Sequence, residues 1–111
     1  MAGPAGLGGL QAAKEKNAKA IWVDTDGCVS AAEYCDILLT SVMKGMDVAV
    51  QKSIQAGIQK KFDNTPYVGT LENGGVSLAP YHDQESAVPA ELNSKIEELQ
   101  QQIIDGEIKV Q

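Results

Sequence analysis

Two aspartates, Asp24 and Asp26, directly follow an apolar run and are the clearest candidates for chemistry in this chain. The run at residues 18–23 reads AKAIWV, which is typical of a short buried strand. In open parallel sheets, ligands bind beyond the carboxyl ends of the strands. A carboxylate at that place can accept two hydrogen bonds from a vicinal diol such as that of ribose. The competing interpretation is that both aspartates cap turns and the helix that follows.

Lys44 is a further candidate, because its ammonium could donate hydrogen bonds to ligand oxygens at the rim of a cleft. An ordinary solvated lysine is the alternative, since most lysines are exposed. His82 is the only histidine in the chain, and we expect it to bond locally to Asp83 or to backbone. With a single histidine we predict no metal site and no cofactor.

An enzymatic interpretation of the same aspartates stays open. The segment WVDTDGCV at residues 22–29 resembles the first motif of haloacid-dehalogenase-type phosphatases. In that chemistry the first aspartate attacks phosphorus and the second acts as general acid beside Mg²⁺. The ILLTS run at residues 37–41 could mimic the second motif, but no later acidic pair follows an apolar strand to complete a Mg²⁺ site. A phosphatase fragment is therefore the alternative to a non-enzymatic binding module.

The elements that would position these residues alternate between helix and strand, which indicates an α/β fold. Residues 7–16 are predicted to be a helix preceded by a glycine-rich turn around Gly3. Glycines at such a turn let the free N–H groups of the helix face a ligand. A loop is predicted at residues 27–33.

A long amphipathic helix is predicted over residues 37–62, with Lys44 near its start. Apolar residues recur there at spacings of three and four. Thr40 or Ser41 could cap this helix, or the helix could start earlier, and the DNTP sequence at residues 63–66 ends it.

The second half of the chain reads as a hairpin followed by a helix. Residues 67–71 and 76–81 are predicted strands, joined by an Asn-Gly-Gly turn that favours positive φ. Pro89 suits the first position of a helix, and Gly106 suits its left-handed cap. A short terminal strand is predicted at residues 107–110.

Composition sets the outer limits. The chain has 111 residues, which is one small domain or part of a larger one. Its net charge of −6 argues against nucleic acid as a partner, because binding to phosphates is driven by Lys and Arg. No apolar run approaches the length of a bilayer span, and the start MAGPAGLGGL is not typical of a signal peptide.

Cys28 and Cys35 stand seven positions apart and form no CxxC pair. A disulfide between them would require an oxidising compartment. Spacing alone does not indicate one, so we expect free thiols.

Five pieces of the sequence occur in the order found in one known family: AGPAG, IWVDTD, ILLTSVMKGMDVAV, YVGTLENGGVSLAPYHD, and VPAEL with IIDGEIKV. Together they resemble the basic membrane lipoprotein family, the substrate-binding receptors of nucleoside ABC importers. The resemblance implies a partial type I periplasmic-binding-protein fold, in which two α/β lobes close on a ligand. Residues 1–66 would form part of the second lobe. Residues 67–111 would form the hinge-crossing hairpin, the C-terminal helix and a terminal strand, and the first lobe would be absent.

The resemblance also implies a site. The position of Asp24 would hold the ribose hydroxyls of a purine nucleoside, Lys44 would face the ligand, and the backbone of Gly3 would line the pocket beside the base. Asp26 is an additional candidate ligand-binding residue. The implied partners are a nucleoside, the permease and ATPase subunits of the importer, and the missing N-terminal lobe. The intact parent would be an extracytoplasmic, membrane-anchored lipoprotein.

Two departures from the family pattern bear on the pocket. Trp22 stands where the strand usually carries Gly, and Pro4-Ala5 replaces the more usual Gly-Thr. The C-terminal helix should dock on the missing lobe, so its apolar stripe of Leu92, Ile96, Leu99 and Ile103 would lack a partner. A small structural α/β domain without a ligand is the third interpretation.

Overall fold

A three-stranded sheet in the order β1–β2–β3 organises residues 5–110, the part of the chain that the computed structural model describes. Strand β1 is Ala20–Asp24, β2 is Leu38–Lys44 and β3 is Val76–Leu78. Strands β1 and β2 run parallel, and β3 pairs antiparallel with β2. The chain combines this mixed sheet with helices, so the predicted α/β class is confirmed, and the arrangement is consistent with part of a periplasmic-binding-protein fold.

The connection between the two parallel strands is helical rather than the loop that the sequence indicated. It contains the short helix α2 at Gly27–Ser30 and the 3-10 helix Ala32–Ile37. Asp26 starts α2, because its side chain accepts a hydrogen bond from the backbone N–H of Cys28 at 2.9 Å.

The predicted long helix over residues 37–62 is wrong in its first third. That segment is strand β2, and the helix α3 spans only Met46–Ile58 after Gly45 as N-cap. Short apolar runs do not distinguish a buried strand from a helix, and parallel pairing with β1 decides in favour of the strand. Thr40 and Ser41 lie inside the strand and cap nothing.

The predicted hairpin does not form, because residues 67–71 are not a strand and β3 pairs with β2 instead. The turn after these residues is nevertheless tightly built. Asn73 Oδ1 accepts hydrogen bonds from the backbone N–H groups of Thr70 and Gly75, both at 2.9 Å. Gly74 has φ +73°, as an Asn-Gly turn favours. The predicted terminal strand at residues 107–110 is not formed either.

The first and last helices agree with the sequence. Helix α1 spans Gly6–Glu15, and helix α4 spans Ala90–Ile104 directly after Pro89. Gly106 has φ +76° beyond the end of α4, which is the left-handed conformation that glycine favours.

The core is small and lies between α1, the strands and the α2 region. Its buried residues are Leu10, Ala20, Ala31, Tyr34, Ile37 and Leu38. Helices α3 and α4 contribute no buried residue. Met46, Val50, Ile54 and Ile58 of α3 are all more than half exposed. Among residues 5–110, no helix combines the length and apolar character needed to cross a membrane.

The expectation of free thiols is wrong, since Cys28 and Cys35 form a disulfide with their Cα atoms 4.6 Å apart. The chain turns back between α2 and the 3-10 helix Ala32–Ile37, which brings the two sulfurs together. This turn depends on tertiary packing, so the spacing of seven residues did not indicate it.

Candidate ligand-binding site

Asp24 and Lys44 meet at the carboxyl ends of the two parallel strands. Asp24 is the last residue of β1 and Lys44 the last residue of β2. Lys44 Nζ lies 2.7 Å from Asp24 Oδ1, and the two side chains remain 59% and 45% exposed. Lys44 was expected near the start of a helix, but the strand end places it directly beside Asp24. The two charged groups are therefore paired and still open to a ligand.

The backbone of Asp24 has φ +74°, which is uncommon for a residue other than glycine. Aspartate tolerates this left-handed region better than most residues do. Conformations of this kind cost on the order of 1–3 kcal/mol and persist where the surrounding structure imposes them. The conformation sets the direction in which the carboxylate leaves the strand.

Oδ1 of Asp24 is shielded from solvent, yet within residues 5–110 it is the one buried side-chain polar atom without a hydrogen bond. The ammonium of Lys44 lies 2.7 Å from this oxygen and balances its charge. A carboxylate oxygen in this state has unused acceptor capacity. A ligand hydroxyl reaches this oxygen only if the Lys44 side chain moves aside, whereas the Asp24 side chain as a whole is 45% exposed.

Asp26 has both carboxylate oxygens engaged. Oδ1 accepts from the N–H of Cys28, and Oδ2 lies 2.8 Å from His82 Nε2. Asp26 is thus a helix cap. Capping was the competing interpretation of this residue in the sequence, beside ligand binding. The local partner expected for His82 is wrong, because Asp26 is 56 positions away in sequence. No local pattern could have indicated that contact.

Two hydroxyls hold the segment after β1 and the segment after β3 against β2. Ser41 is 1% exposed, and its Oγ accepts a hydrogen bond from the backbone N–H of Gly27 at 2.9 Å. Thr40 Oγ1 donates to the carbonyl of Ala79 at 2.7 Å. Both hydroxyls have structural partners, which weakens the comparison of this run with a phosphatase motif.

Trp22 packs against the core beside the starts of two helices. A Cβ on Gly6 would lie 2.9 Å from its ring, and a Cβ on Gly27 would lie 2.5 Å from Leu38 Cδ1 and 3.0 Å from Trp22 Cβ. Glycine at position 6 therefore makes room for the indole, and glycine at position 27 makes room for Leu38 and the base of the Trp22 side chain. Gly3 lies outside the described residues, so its predicted role as part of the pocket stays a prediction.

A cavity of about 750 Å³ lies in another part of the molecule, and its lining includes neither Asp24 nor Lys44. Its walls come from β3, residues 68–72 and the segment from the end of α4 onward. The volume is suited to a small ligand, but the lining is mostly apolar and lacks paired charges at strand ends. The polar site at Asp24 remains the better candidate for recognition of a hydroxylated ligand.

A family model described as Bmp, ABC transporter substrate-binding protein PnrA-like, matches residues 1–111. No curated protein matches the chain.

Proposed function

This chain belongs to the Bmp family of PnrA-like ABC transporter substrate-binding proteins, and from that membership we propose that it supplies part of a purine-nucleoside site. The members of this family are substrate-binding proteins of ABC transporters, so a general role in ligand binding follows from membership. The nucleoside, and the residues that read it, are the proposal.

The observation that carries the proposal is the pairing of Asp24 with Lys44 at 2.7 Å beyond the ends of β1 and β2. This is the place where α/β sheets bind ligands. It joins a carboxylate, which accepts from hydroxyls, with an ammonium, which donates to ligand oxygens. A ribose presents both kinds of partner.

Asp24 would accept hydrogen bonds from the 2′- and 3′-hydroxyls, while Lys44 stays beside the carboxylate and contributes one donor to the ligand. Enclosing a lone carboxylate in a closed cleft is costly, because the charge loses water. The neighbouring ammonium offsets part of that cost, since a paired charge is less costly to bury than a lone one. The pair thus allows a cleft to close over a neutral nucleoside.

The binding cleft would be completed by a first lobe. Supporting this, β1 lies at one edge of the sheet, and neither α3 nor α4 has a buried residue. Residues 1–66 would belong to the second lobe, and residues 67–111 would cross the hinge and dock the apolar stripe of α4 on the first lobe. The complete receptor would bind the permease, which in turn binds the ATPase subunits.

We also propose an extracytoplasmic location with a lipid anchor on the complete receptor. The disulfide between Cys28 and Cys35 supports an oxidising compartment, where such bonds persist.

The proposal is tested by calorimetric titration of adenosine into two proteins, the 111-residue chain and the same chain joined to a first lobe from a Bmp-family receptor. We expect micromolar binding by the joined protein and binding at least about a hundredfold weaker by the chain alone, because half of the pocket contacts are missing. Equal micromolar affinity in both would contradict the need for a second lobe. Absence of binding in a correctly folded joined protein would contradict the nucleoside assignment.

The phosphatase alternative has its own test. It requires Mg²⁺-dependent release of phosphate from simple phosphomonoesters, abolished by Asp24→Asn. We expect no such turnover, because Asp24 is paired with Lys44 and both oxygens of Asp26 are engaged.

A further inference from the structure

Three side chains with metal-binding atoms converge beside, but not within, the proposed nucleoside site. They are Asp26, Cys28 and His82, and their ligand atoms all lie within 4.8 Å of one another. Cys28 is bound in the disulfide with Cys35. We propose that reduction of this disulfide creates a zinc site formed by the Asp26 carboxylate, the Cys28 thiolate and the His82 imidazole.

The three residues are held together by contacts that do not involve the sulfur. Asp26 Oδ1 is fixed by the N–H of Cys28 at 2.9 Å, which orients the carboxylate over the start of α2. His82 Nε2 lies 2.8 Å from Asp26 Oδ2, although 56 residues separate them in sequence. His82 also has a left-handed backbone with φ 46°, which directs the imidazole from its 3-10 helix toward Asp26. The atoms that make these contacts are not the two sulfurs, so we expect the contacts to persist after reduction.

The donor set suits zinc. Zn²⁺ binds Cys sulfur, His nitrogen and Asp oxygen, and sites with three protein ligands keep a fourth position for water. With metal–ligand bonds near 2.0–2.3 Å, tetrahedral ligand atoms stand roughly 3.3–3.6 Å apart. The observed contact of 2.8 Å between His82 Nε2 and Asp26 Oδ2 therefore opens by about half an ångström as Zn²⁺ replaces the proton that they share. Cys28 and Asp26 are half-buried and His82 is exposed, so an ion can reach all three.

The switch is a thiol–disulfide exchange with a dithiol as reductant, so in the oxidising compartment proposed above the chain keeps its disulfide until such a dithiol is supplied. The dithiol supplies two electrons and two protons, the bond between Cys28 Sγ and Cys35 Sγ breaks, both sulfurs become thiols, and the reductant becomes a disulfide. Zinc then binds Cys28 as the thiolate, and the thiol proton is released to solvent. Cys35 is left as a free thiol outside the ligand set.

The consequence is an exchange of one cross-link for another. The oxidised chain ties α2 to the 3-10 helix Ala32–Ile37 through the disulfide. The reduced, zinc-bound chain ties α2 to the 3-10 helix His82–Ala87 through the metal. Since Asp24 is two residues from Asp26, this change lies next to the candidate ligand site, but zinc binding itself does not depend on the nucleoside assignment.

Two matched single substitutions test the proposal with the 111-residue chain. Cys35→Ser removes the disulfide and leaves Cys28 free, whereas Cys28→Ser removes the same disulfide and leaves Cys35 free. We expect Cys35→Ser to bind one Zn²⁺ per chain without any reductant, at least about tenfold more tightly than Cys28→Ser, because loss of a ligand costs more than loss of a supporting contact. Binding is measured by calorimetry, with circular dichroism to confirm that both variants are folded.

Two further measurements keep the test decisive if a variant does not fold. The wild-type chain is titrated with Zn²⁺ before and after reduction by a phosphine, and Co²⁺ is added to the reduced chain to look for sulfur-to-cobalt charge-transfer absorption. We expect zinc binding and this absorption only after reduction, with both lost in His82→Gln. Equal zinc affinity in the oxidised and reduced chains, or in Cys28→Ser and Cys35→Ser, would overturn the proposal, as would cobalt binding without the sulfur band.

Discussion

Lys44 Nζ lies 2.7 Å from Asp24 Oδ1 across the ends of two neighbouring parallel strands. The residues are 20 positions apart in sequence, and the parallel register that aligns Asp24 with Met43 brings them together. The pairing gives a carboxylate that is charge-balanced, held by an uncommon backbone conformation and still half-exposed. These are the properties that a hydroxyl-reading site needs.

Asp24→Asn should weaken nucleoside binding by at least about tenfold while leaving the fold intact. The amide loses the charge that strengthens hydrogen bonds from ribose hydroxyls. Asn tolerates positive φ as Asp does, and an exposed ion pair contributes only about 0–1 kcal/mol to stability. Affinity is compared by calorimetry in the lobe-completed protein, and Asp47→Asn in the exposed first turn of α3 is the matched control. Equal losses of nucleoside affinity in both variants would show that Asp24 does not contact the nucleoside.

Lys44→Gln should weaken binding by a smaller factor, a few-fold to about tenfold, because a neutral donor replaces a charged one. Because adenosine is uncharged, added salt should change the affinity of the wild type and of the variant little. Lys61→Gln, beyond the end of α3, serves as the control. Unchanged affinity in Lys44→Gln would show that the lysine is an ordinary solvated residue.

Gly45→Ala should destabilise the chain by about 1–3 kcal/mol, because overpacking forces the backbone to move. A Cβ at this position would lie 2.2 Å from the carbonyl oxygen of Gly74, in a junction closed by the bond from Gly45 N–H to the Gly75 carbonyl at 2.9 Å. Gly57→Ala in α3 is the control, since a Cβ there meets nothing within 4 Å. The control should gain about 0.5–1 kcal/mol from the lower helix propensity of glycine.

The free energy of unfolding of both glycine variants is measured by urea denaturation. If Gly45→Ala were as stable as wild type, the close packing of the residue 73–75 turn against the end of β2 would be wrong.

Loss of the disulfide should lower the free energy of unfolding by about 2–3 kcal/mol, as expected for a short closed loop. The comparison is urea unfolding of the wild-type chain with and without a phosphine reductant, in the absence of metal. The double variant, Cys28→Ser combined with Cys35→Ser, should have the same free energy of unfolding as the reduced wild-type chain. A reduced chain as stable as the oxidised one would show that the disulfide contributes no stability.

Local signals predicted some elements well and failed at others for a common reason. Pro89 and Gly106 mark the ends of α4 through their own backbone preferences, so the sequence was sufficient there. Residues 38–44 carry an apolar run that suits helix or strand, and only pairing with β1 decides between them. Residues 67–71 were predicted to be a strand but form none, and the edge strand β3 pairs with β2 alone.

The residues of the site likewise include some that the sequence predicted and some that only the structure revealed. Asp24 stood out because it follows a strand. Lys44 was a candidate because of its ammonium and the family resemblance, but the helix predicted around it was wrong. The contact of His82 with Asp26 and the disulfide both depend on how α2 and the two 3-10 helices pack. No spacing in the sequence encodes those contacts, so they required the structure.

The central claim is that Asp24 and Lys44 read the diol of a nucleoside. It is tested most directly by NMR titration of the isotope-labelled 111-residue chain with millimolar adenosine and, separately, with 2′,3′-dideoxyadenosine. We predict that adenosine shifts the backbone amides of residues 24–26 and 44–45, and that the dideoxy compound leaves them unmoved at the same concentration. Identical shifts with both compounds, or shifts confined to the apolar cavity lined by β3 and the end of α4, would contradict the account.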